Sequence, residues 1–218
     1  MSPSPPRLLL ASGNPGKLRE LRAILRGLPV ELVGLADAGA GEPPEVPETG
    51  ATFLDNALQK ARAYAAWSGL AAVADDSGLE VDALGGAPGV RSARYAGLGA
   101  SDQANLDKLL AALDGVPPER RSARFRCAAV LVDPRLGEWH AEGVWEGRLL
   151  AAPRGGGGFG YDPVFVPDGW EVTSAEVDPA TKDAASHRGQ AFRALRPAIQ
   201  AWAAARAASP AQGGASPR

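Results

Sequence analysis

Two acidic side chains stand side by side at Asp75-Asp76, directly after the apolar run Ala71-Ala72-Val73-Ala74 and just before Ser77-Gly78. Carboxylates at the end of an apolar strand fall where α/β proteins hold their ligands. Adjacent anions repel, and a divalent cation or a shared proton relieves the repulsion. A polar turn closing the strand is the plain alternative, since Asp-Ser-Gly is common turn chemistry. A turn alone does not call for both acids after so apolar a strand, so a functional pair, neutralised by a metal or a shared proton, is favoured.

A multiply charged substrate also needs cations and backbone donors. Ser12-Gly13-Asn14-Pro15-Gly16-Lys17 is a glycine-rich turn between a strand pattern and a helix pattern. Such a turn gathers free backbone N–H groups and the positive end of a helix dipole, and Lys17 adds a mobile cation. It is not a Walker A loop, because Ala11 stands where the first glycine must be and Leu18 replaces the Ser/Thr that holds magnesium. An ordinary strand-to-helix turn with a solvated lysine explains it as well. Glu48 offers a further carboxylate and Lys60, one helical turn from Asn56, a further cation. Either one alone is explained as a solvated charge.

Two downstream segments suit a flat, hydrogen-bonding base. The run from Gly155 to Pro163 contains a literal G-x-G-x-x-G, but Pro163 follows at once and no helix pattern opens, which excludes a dinucleotide fingerprint. It reads as a flexible loop presenting Phe159, Gly160 and Tyr161 with Asp162. A glycine hinge with two core aromatics accounts for it equally. Lys182 and Ser186-His187-Arg188-Gly189 put donors for carbonyl oxygens near a helix start. There the alternative is a capped helix with exposed basic residues.

The elements that must position these residues alternate in type. Residues 8–11 read as a buried strand, 17–26 as a helix and 30–35 as a second strand, an opening that suggests an α/β fold. Thr52 starts a helix over 52–68, with Asp55 as a capping partner and Gly69 as its stop. The strand 71–74 leads into the acidic doublet, and Ser101 caps a helix through 113. Residues 123–132 and 138–150 read as antiparallel strands joined at Asp133-Pro134. A last helix runs over 186–207, with Pro197 expected to kink it. The domain is expected to span 1–208, followed by a disordered Pro/Gly/Ser-rich tail, 209–218.

Composition narrows the class. The 218 residues are 45% hydrophobic with a formal charge of −2, which fits a globular chain and gives no global reason to expect nucleic acid or an anionic membrane. The one cysteine, Cys127, lies in an apolar run and reads as a buried structural thiol, so disulfides and thiolate zinc sites are out. His140 and His187 lack metal-ligand spacing, so any metal should be hard and carboxylate-bound. The apolar stretch 8–11 is too short for a signal peptide or membrane span, and a cytoplasmic enzyme is expected.

Taken in order, the stretches SGNPGK at 12–17 with Glu20, ETGATFLDNALQKA at 48–61, ADDSGLEVDALGGAPGVRSARYAG at 74–97, GGFGYDPVF at 157–165 and KDAASHRGQA at 182–191 resemble the inosine triphosphate pyrophosphatase family, the XTP/dITP pyrophosphatases. The resemblance covers residues 8–195. It implies an elongated mixed sheet with flanking helices and two lobes around a central substrate cleft. It also implies hydrolysis of dITP, ITP and XTP to the monophosphate and pyrophosphate, with Mg2+ as cofactor and a homodimer as the assembly.

Under that resemblance the turn Ser12, Gly13, Asn14, Pro15, Gly16 and Lys17 cradles the triphosphate with help from Lys60. Glu48 and Asp76 hold magnesium, Asp76 accepts the proton of the attacking water, Asp75 supports, and Ser77 touches the substrate. Phe159, Gly160, Tyr161, Asp162, Lys182, His187 and Arg188 enclose the base. Three positions depart from the family's habit: Asp55 where Glu is usual, Asp183 where Asn is frequent, and Ala185 in place of a bulkier apolar residue. A related septum-formation-type pyrophosphatase, which prefers pyrimidine or modified nucleotides, and a nucleotide sensor without catalysis are the rival readings.

Overall fold

The computed structural model describes residues 4–39 and 41–208. Residues 1–3, residue 40 and the expected tail 209–218 lie outside the described residues. Six strands form one mixed sheet: β1 (Arg7–Leu10), β2 (Glu31–Val33), β3 (Ala71–Val81), β4 (Ser122–Asp133), β5 (Gly137–Leu149) and β6 (Phe165–Pro167). Their order is β2-β1-β3-β4-β5-β6. β1 runs parallel to β2 and β3, and the remaining pairs are antiparallel.

Capping chemistry sets the helix starts. α1 (Pro15–Ile24) begins two residues earlier than its apolar spacing suggests. Asn14 caps it by accepting from Gly16 and Lys17, and Pro15, whose missing N–H costs nothing at the first position, is already helical. α2 (Phe53–Ser68) starts on a full capping box in which Thr52 and Asp55 satisfy each other's backbone N–H groups, and stops at left-handed Gly69. Asp55 thus does the work of the usual Glu. Ser101 caps α3 (Asp102–Ala112) as expected.

The last helix lies where expected, and a short helix that the sequence did not announce precedes it. Asp178 caps a short α4 (Pro179–Ala185), extended Ser186 interrupts, and α5 (His187–Ala208) follows with Pro197 inside it. α4 lacks a long apolar stripe, so periodicity does not reveal it. β6 is three residues long and ends in proline, beneath the reach of an alternation pattern.

Long strands tie two lobes together. In the first, α1 and α5 cover one sheet face through Leu21, Leu25, Phe192, Leu195 and Ile199, while α2 covers the other through Ala57, Ala61 and Ala65. Each large side chain so buried contributes roughly 1.5–3 kcal/mol relative to exposure. In the second lobe, the far ends of β3 and β4 pack Leu79, Val81 and Phe125 with Leu109 of α3, Trp145 and Phe165. No helix among the described residues is long and apolar enough to cross a membrane.

Candidate active site

The acidic doublet does not end its strand. β3 continues unbroken through Asp75, Asp76, Ser77 and Gly78, which pair with Ala129, Ala128, Cys127 and Arg126 of β4. β1 is the strand that ends there. Its last partner on β3 is Val73, which accepts from the N–H of Ala11. Beyond that point the β3 edge is open, and the cleft begins at the C-terminal end of a parallel strand, as expected for an α/β sheet.

Because the doublet lies inside a strand, its carboxylates leave opposite faces of the sheet. They share neither a proton nor a partner set of hydrogen bonds, which corrects the expectation of a repelling pair. Asp75, on the α1/α5 face, meets Lys17 Nζ at 3.1 Å and accepts from Nε and Nη2 of Arg188, each at 3.2 Å. Burial alone would raise its carboxyl, but Lys17, Arg188 and Lys60 hold it well below the usual range.

Asp76, on the α2 face, accepts from Nδ2 of Asn56 at 3.0 Å and lies 3.5 Å from Lys60 Nζ. Burial raises the Asp76 carboxyl above its usual value; Lys60 opposes this, Glu48 adds to it, and burial prevails. Asp75 is therefore the fixed charge and Asp76 the carboxylate readier to take a proton.

Glu48 comes from a loop and is held by cations. Lys60 donates to its Oε1 at 2.7 Å, and Arg94 reaches both its Oε2 (3.3 Å) and its backbone carbonyl (3.0 Å). Lys60 thus straddles Glu48 and Asp76. Burial works against its charge, but Asp76, Asp75 and Glu48 more than offset that.

The turn before α1 differs from its expected role in one respect. Its N–H groups are not all free: those of Gly16 and Lys17 donate to Asn14 Oδ1 at 2.8 and 3.1 Å, and that of Asn14 points at Ser12 Oγ, 3.2 Å away. The helix cap already uses the donors that a bare turn would leave open. Of this turn, Asn14 and Lys17 line the cleft.

The glycine-rich loop is also less free than its composition suggests. Gly158 is left-handed at φ +71, and a Cβ there would collide with the Asp162 carboxylate. Gly157 donates to the carbonyl of Ala175 at 2.9 Å. Asp162 is fully engaged, accepting from Phe159 N–H at 2.8 Å, Lys182 at 2.6 Å and Ser174 Oγ at 2.8 Å. Tyr161 is buried in the second lobe's core and donates its hydroxyl to the Ser92 carbonyl at 2.8 Å. Phe159 keeps an open ring, flanked by Lys182 Nζ (4.9 Å) and the Arg188 guanidinium (5.6 Å).

Lys182 of α4 and His187 and Arg188 of α5 are buried, not solvated. Glu20 of α1 bonds both Lys182, at 3.2 Å, and Arg188, joining the first helix to the last two. His187 stacks on Phe125, centroids 4.7 Å apart, and its buried Nδ1 has no hydrogen-bond partner. Burial pushes His187 well below its usual value, and Arg188 and Lys182 add to that, so the ring is neutral at pH 7.

All these walls enclose one cleft, lined by Asn14, Lys17, Glu48, Asp76, Ser77, Phe159, Gly160, Tyr161, Asp162, Lys182, His187 and Arg188. Its two ends differ: Glu48, Lys60 and Asp76 at one, Phe159, Lys182, His187 and Arg188 at the other. Asn56, Arg94, Glu20, Phe125 and Asp102 also hold or line it, and sequence reasoning assigned them no role. Asn56 had a signal, as an uncharged polar residue beside the apolar stripe of α2. Arg94, Asp102 and Phe125 had none, because only the tertiary fold brings them here. Cys127 is buried, with its thiol pushed up by burial and by Asp75, as a structural thiol should be.

Comparison with known proteins agrees with this architecture. A sequence model of the Ham1 family matches residues 8–198. A dITP/XTP pyrophosphatase of Nocardia farcinica is 56% identical over 202 residues, covering 90% of this chain and 96% of the relative. A protein of the same name from Frankia alni is 58% identical over 196 residues, covering 87% and 95%. Among solved structures, a HAM1 protein from Coxiella burnetii superposes with a TM-score of 0.80 at 42% identity, covering 90% of this chain and 99% of that one. The nucleoside-triphosphatase / dITP/XTP pyrophosphatase of Mycobacterium abscessus gives 0.70 at 52% identity, covering 88% and 99%. The chain therefore belongs to the Ham1 family.

Proposed function

We propose that the protein hydrolyses the deaminated purine nucleoside triphosphates dITP, ITP and XTP to the monophosphate and pyrophosphate, clearing them from the nucleotide pool. The observation that carries this is the two-ended cleft, with carboxylates and lysines at one end and an open aromatic ring among buried donors at the other. Relatives above 50% identity bear the name dITP/XTP pyrophosphatase, which supports the same substrates.

At the phosphate end, Lys17 and Lys60 neutralise the triphosphate, and Asn14 turns the start of α1 toward it. Asp76 accepts a proton from the attacking water as its oxygen bonds to phosphorus and the bridge between the α- and β-phosphates breaks. Asp76 lines the cleft, where an attacking water can reach it.

A divalent cation fits the donor set. Glu48 and Asp76 are hard oxygen ligands that Lys60 already bridges, at 2.7 and 3.5 Å. The described residues contain no group of three or more His, Cys, Asp or Glu able to hold a metal. A pair of carboxylates completed by phosphate oxygens and water is how Mg2+ is commonly bound. When present, Mg2+ would supply charge neutralisation for the phosphates.

At the base end, Lys182 and Arg188 present fixed donors, locked by Glu20, Asp75 and Asp162. A 6-oxo group accepts from such donors, while the 6-amino group of ATP sets donor against donor. Each mispaired buried contact costs roughly 1–3 kcal/mol, so two of them lower kcat/KM for ATP at least about 30-fold. Pyrophosphate release from ITP, dITP, XTP, ATP and the pyrimidine triphosphates with Mg2+ tests this. Equal rates for ITP and ATP would refute the specificity, and a preference for pyrimidines would favour the septum-formation-type reading.

A cytoplasmic homodimer is part of the proposal, supported by the family resemblance. Sedimentation at twice the 22.4 kDa chain mass is the expected result for the dimer.

A further inference from the structure

Asn56 is completely buried, with both ends of its amide engaged. Its Oδ1 accepts from the Gly50 N–H at 2.7 Å and its Nδ2 donates to Asp76 Oδ2 at 3.0 Å. The first bond fixes the orientation of the second. A backbone N–H can only donate, so the amide oxygen must face Gly50 and the amide nitrogen must face Asp76. A flipped amide would set donor against donor on one side and acceptor against carboxylate on the other.

Gly50 lies two residues after Glu48, on the same loop. It is glycine for a visible reason: a Cβ there would sit 2.5 Å from Asp55 Cβ and 2.7 Å from Asn56 Oδ1. The Glu48 loop can therefore press directly onto the start of α2. We propose that Asn56 is a positioning residue that spaces Glu48 against Asp76. One amide pins the Glu48 loop on one side and Asp76 Oδ2 on the other. Asp76 Oδ1, 3.5 Å from Lys60 Nζ, is then the oxygen left to meet the cation and the substrate. This rests on the reading of Glu48 and Asp76 as the metal-holding pair.

Asn56→Leu keeps the number of side-chain heavy atoms and deletes both bonds; Gly50→Ala keeps the Asn56 side chain but pushes it from its seat. Two measurements suffice for each folded variant. The first is Mg2+ titration of ITP hydrolysis at saturating ITP. The second is calorimetric titration of Mg2+ into the protein saturated with an α,β-methylene analogue of ITP.

Both variants are expected to raise the half-saturating Mg2+ concentration and the calorimetric Mg2+ Kd about 10-fold. They should lower kcat at least 10-fold and leave KM for ITP at saturating Mg2+ within about twofold. Generic loosening of the fold would raise KM and lower the thermal midpoint without singling out Mg2+. If Asn56→Leu does not fold, Gly50→Ala, on a partly exposed loop, decides alone. Unchanged Mg2+ dependence in a folded variant, with a Mg2+-dependent parent, overturns this inference only. A parent protein that turns over ITP equally well in chelator overturns the metal-pair reading and this inference with it.

Discussion

Asp75 and Asp76 are neighbours in sequence and opposites in environment. Strand alternation sends one to a guanidinium and an ammonium, the other to a carboxamide and a cleft. Their substitutions should therefore fail differently. Asp76→Asn removes the base and one of the two carboxylates proposed to hold the metal but leaves Lys17 and Lys60 in place, so at saturating Mg2+ kcat for ITP should fall about 10^2- to 10^4-fold with KM within a few-fold; pyrophosphate release measures both.

Asp75→Asn leaves the Arg188 guanidinium buried with only Glu20 and Ser77 beside it. Breaking a buried pair from one side costs roughly 3–5 kcal/mol, so chemical denaturation should show a large loss of stability as well as weak activity. A stability change for Asp75→Asn under about 1 kcal/mol would mean that the pair is solvated.

At the level of elements, the join between α4 and α5 carries a testable cost. Asp183 sits just after Lys182, and its Oδ1 is buried without a partner. Burial, with Glu20 adding, pushes its carboxyl up to about 6. Folding thus favours the protonated form: that stabilisation is complete below about pH 4 and is lost as pH rises through about 6. Asp183→Asn removes the charged form. It should stabilise the protein by about 1 kcal/mol at pH 7.5, allowing for the side chain's partial exposure, and by nothing at pH 3.5. Thermal melts at the two pH values check the sign.

Across the whole molecule, one cleft is walled by α1, α4 and α5 on one side and by the Glu48 loop, β3 and α3 on another. A nucleotide filling it contacts both lobes, so binding should stabilise the fold as a unit. Asp76→Asn with ITP at 100 times Kd gains about 2.7 kcal/mol, worth roughly 5–10 °C in thermal midpoint for a chain of this size. A single sharpened transition is expected. Two transitions, only one of them moved by ITP, would show that the nucleotide engages one lobe alone.

Local chemistry was legible in the residues themselves. Thr52 with Asp55, Ser101 and Gly69 announce helix ends because caps are satisfied within a few residues of chain. The order of SGNPGK, the Glu48 stretch, the acidic doublet with Ser77, FGYDP and Lys182 with SHRG marked twelve of the residues that line the cleft, though not Asp102, Asn105 or Phe125. What could not be read was which group faces which. Whether Asp75-Asp76 closes a strand or lies inside one depends on how far β4 pairs with β3, a contact between residues some fifty positions apart. Whether the N–H groups of Gly16 and Lys17 are free depends on the rotamer of Asn14, and whether Lys182 and Arg188 are solvated depends on Glu20, far away in the chain. The sequence by itself determined the chemical inventory and the helix boundaries set by caps. The tertiary structure alone decided that the two aspartates part company, because sheet pairing, a long-range interaction, assigns each side chain its face.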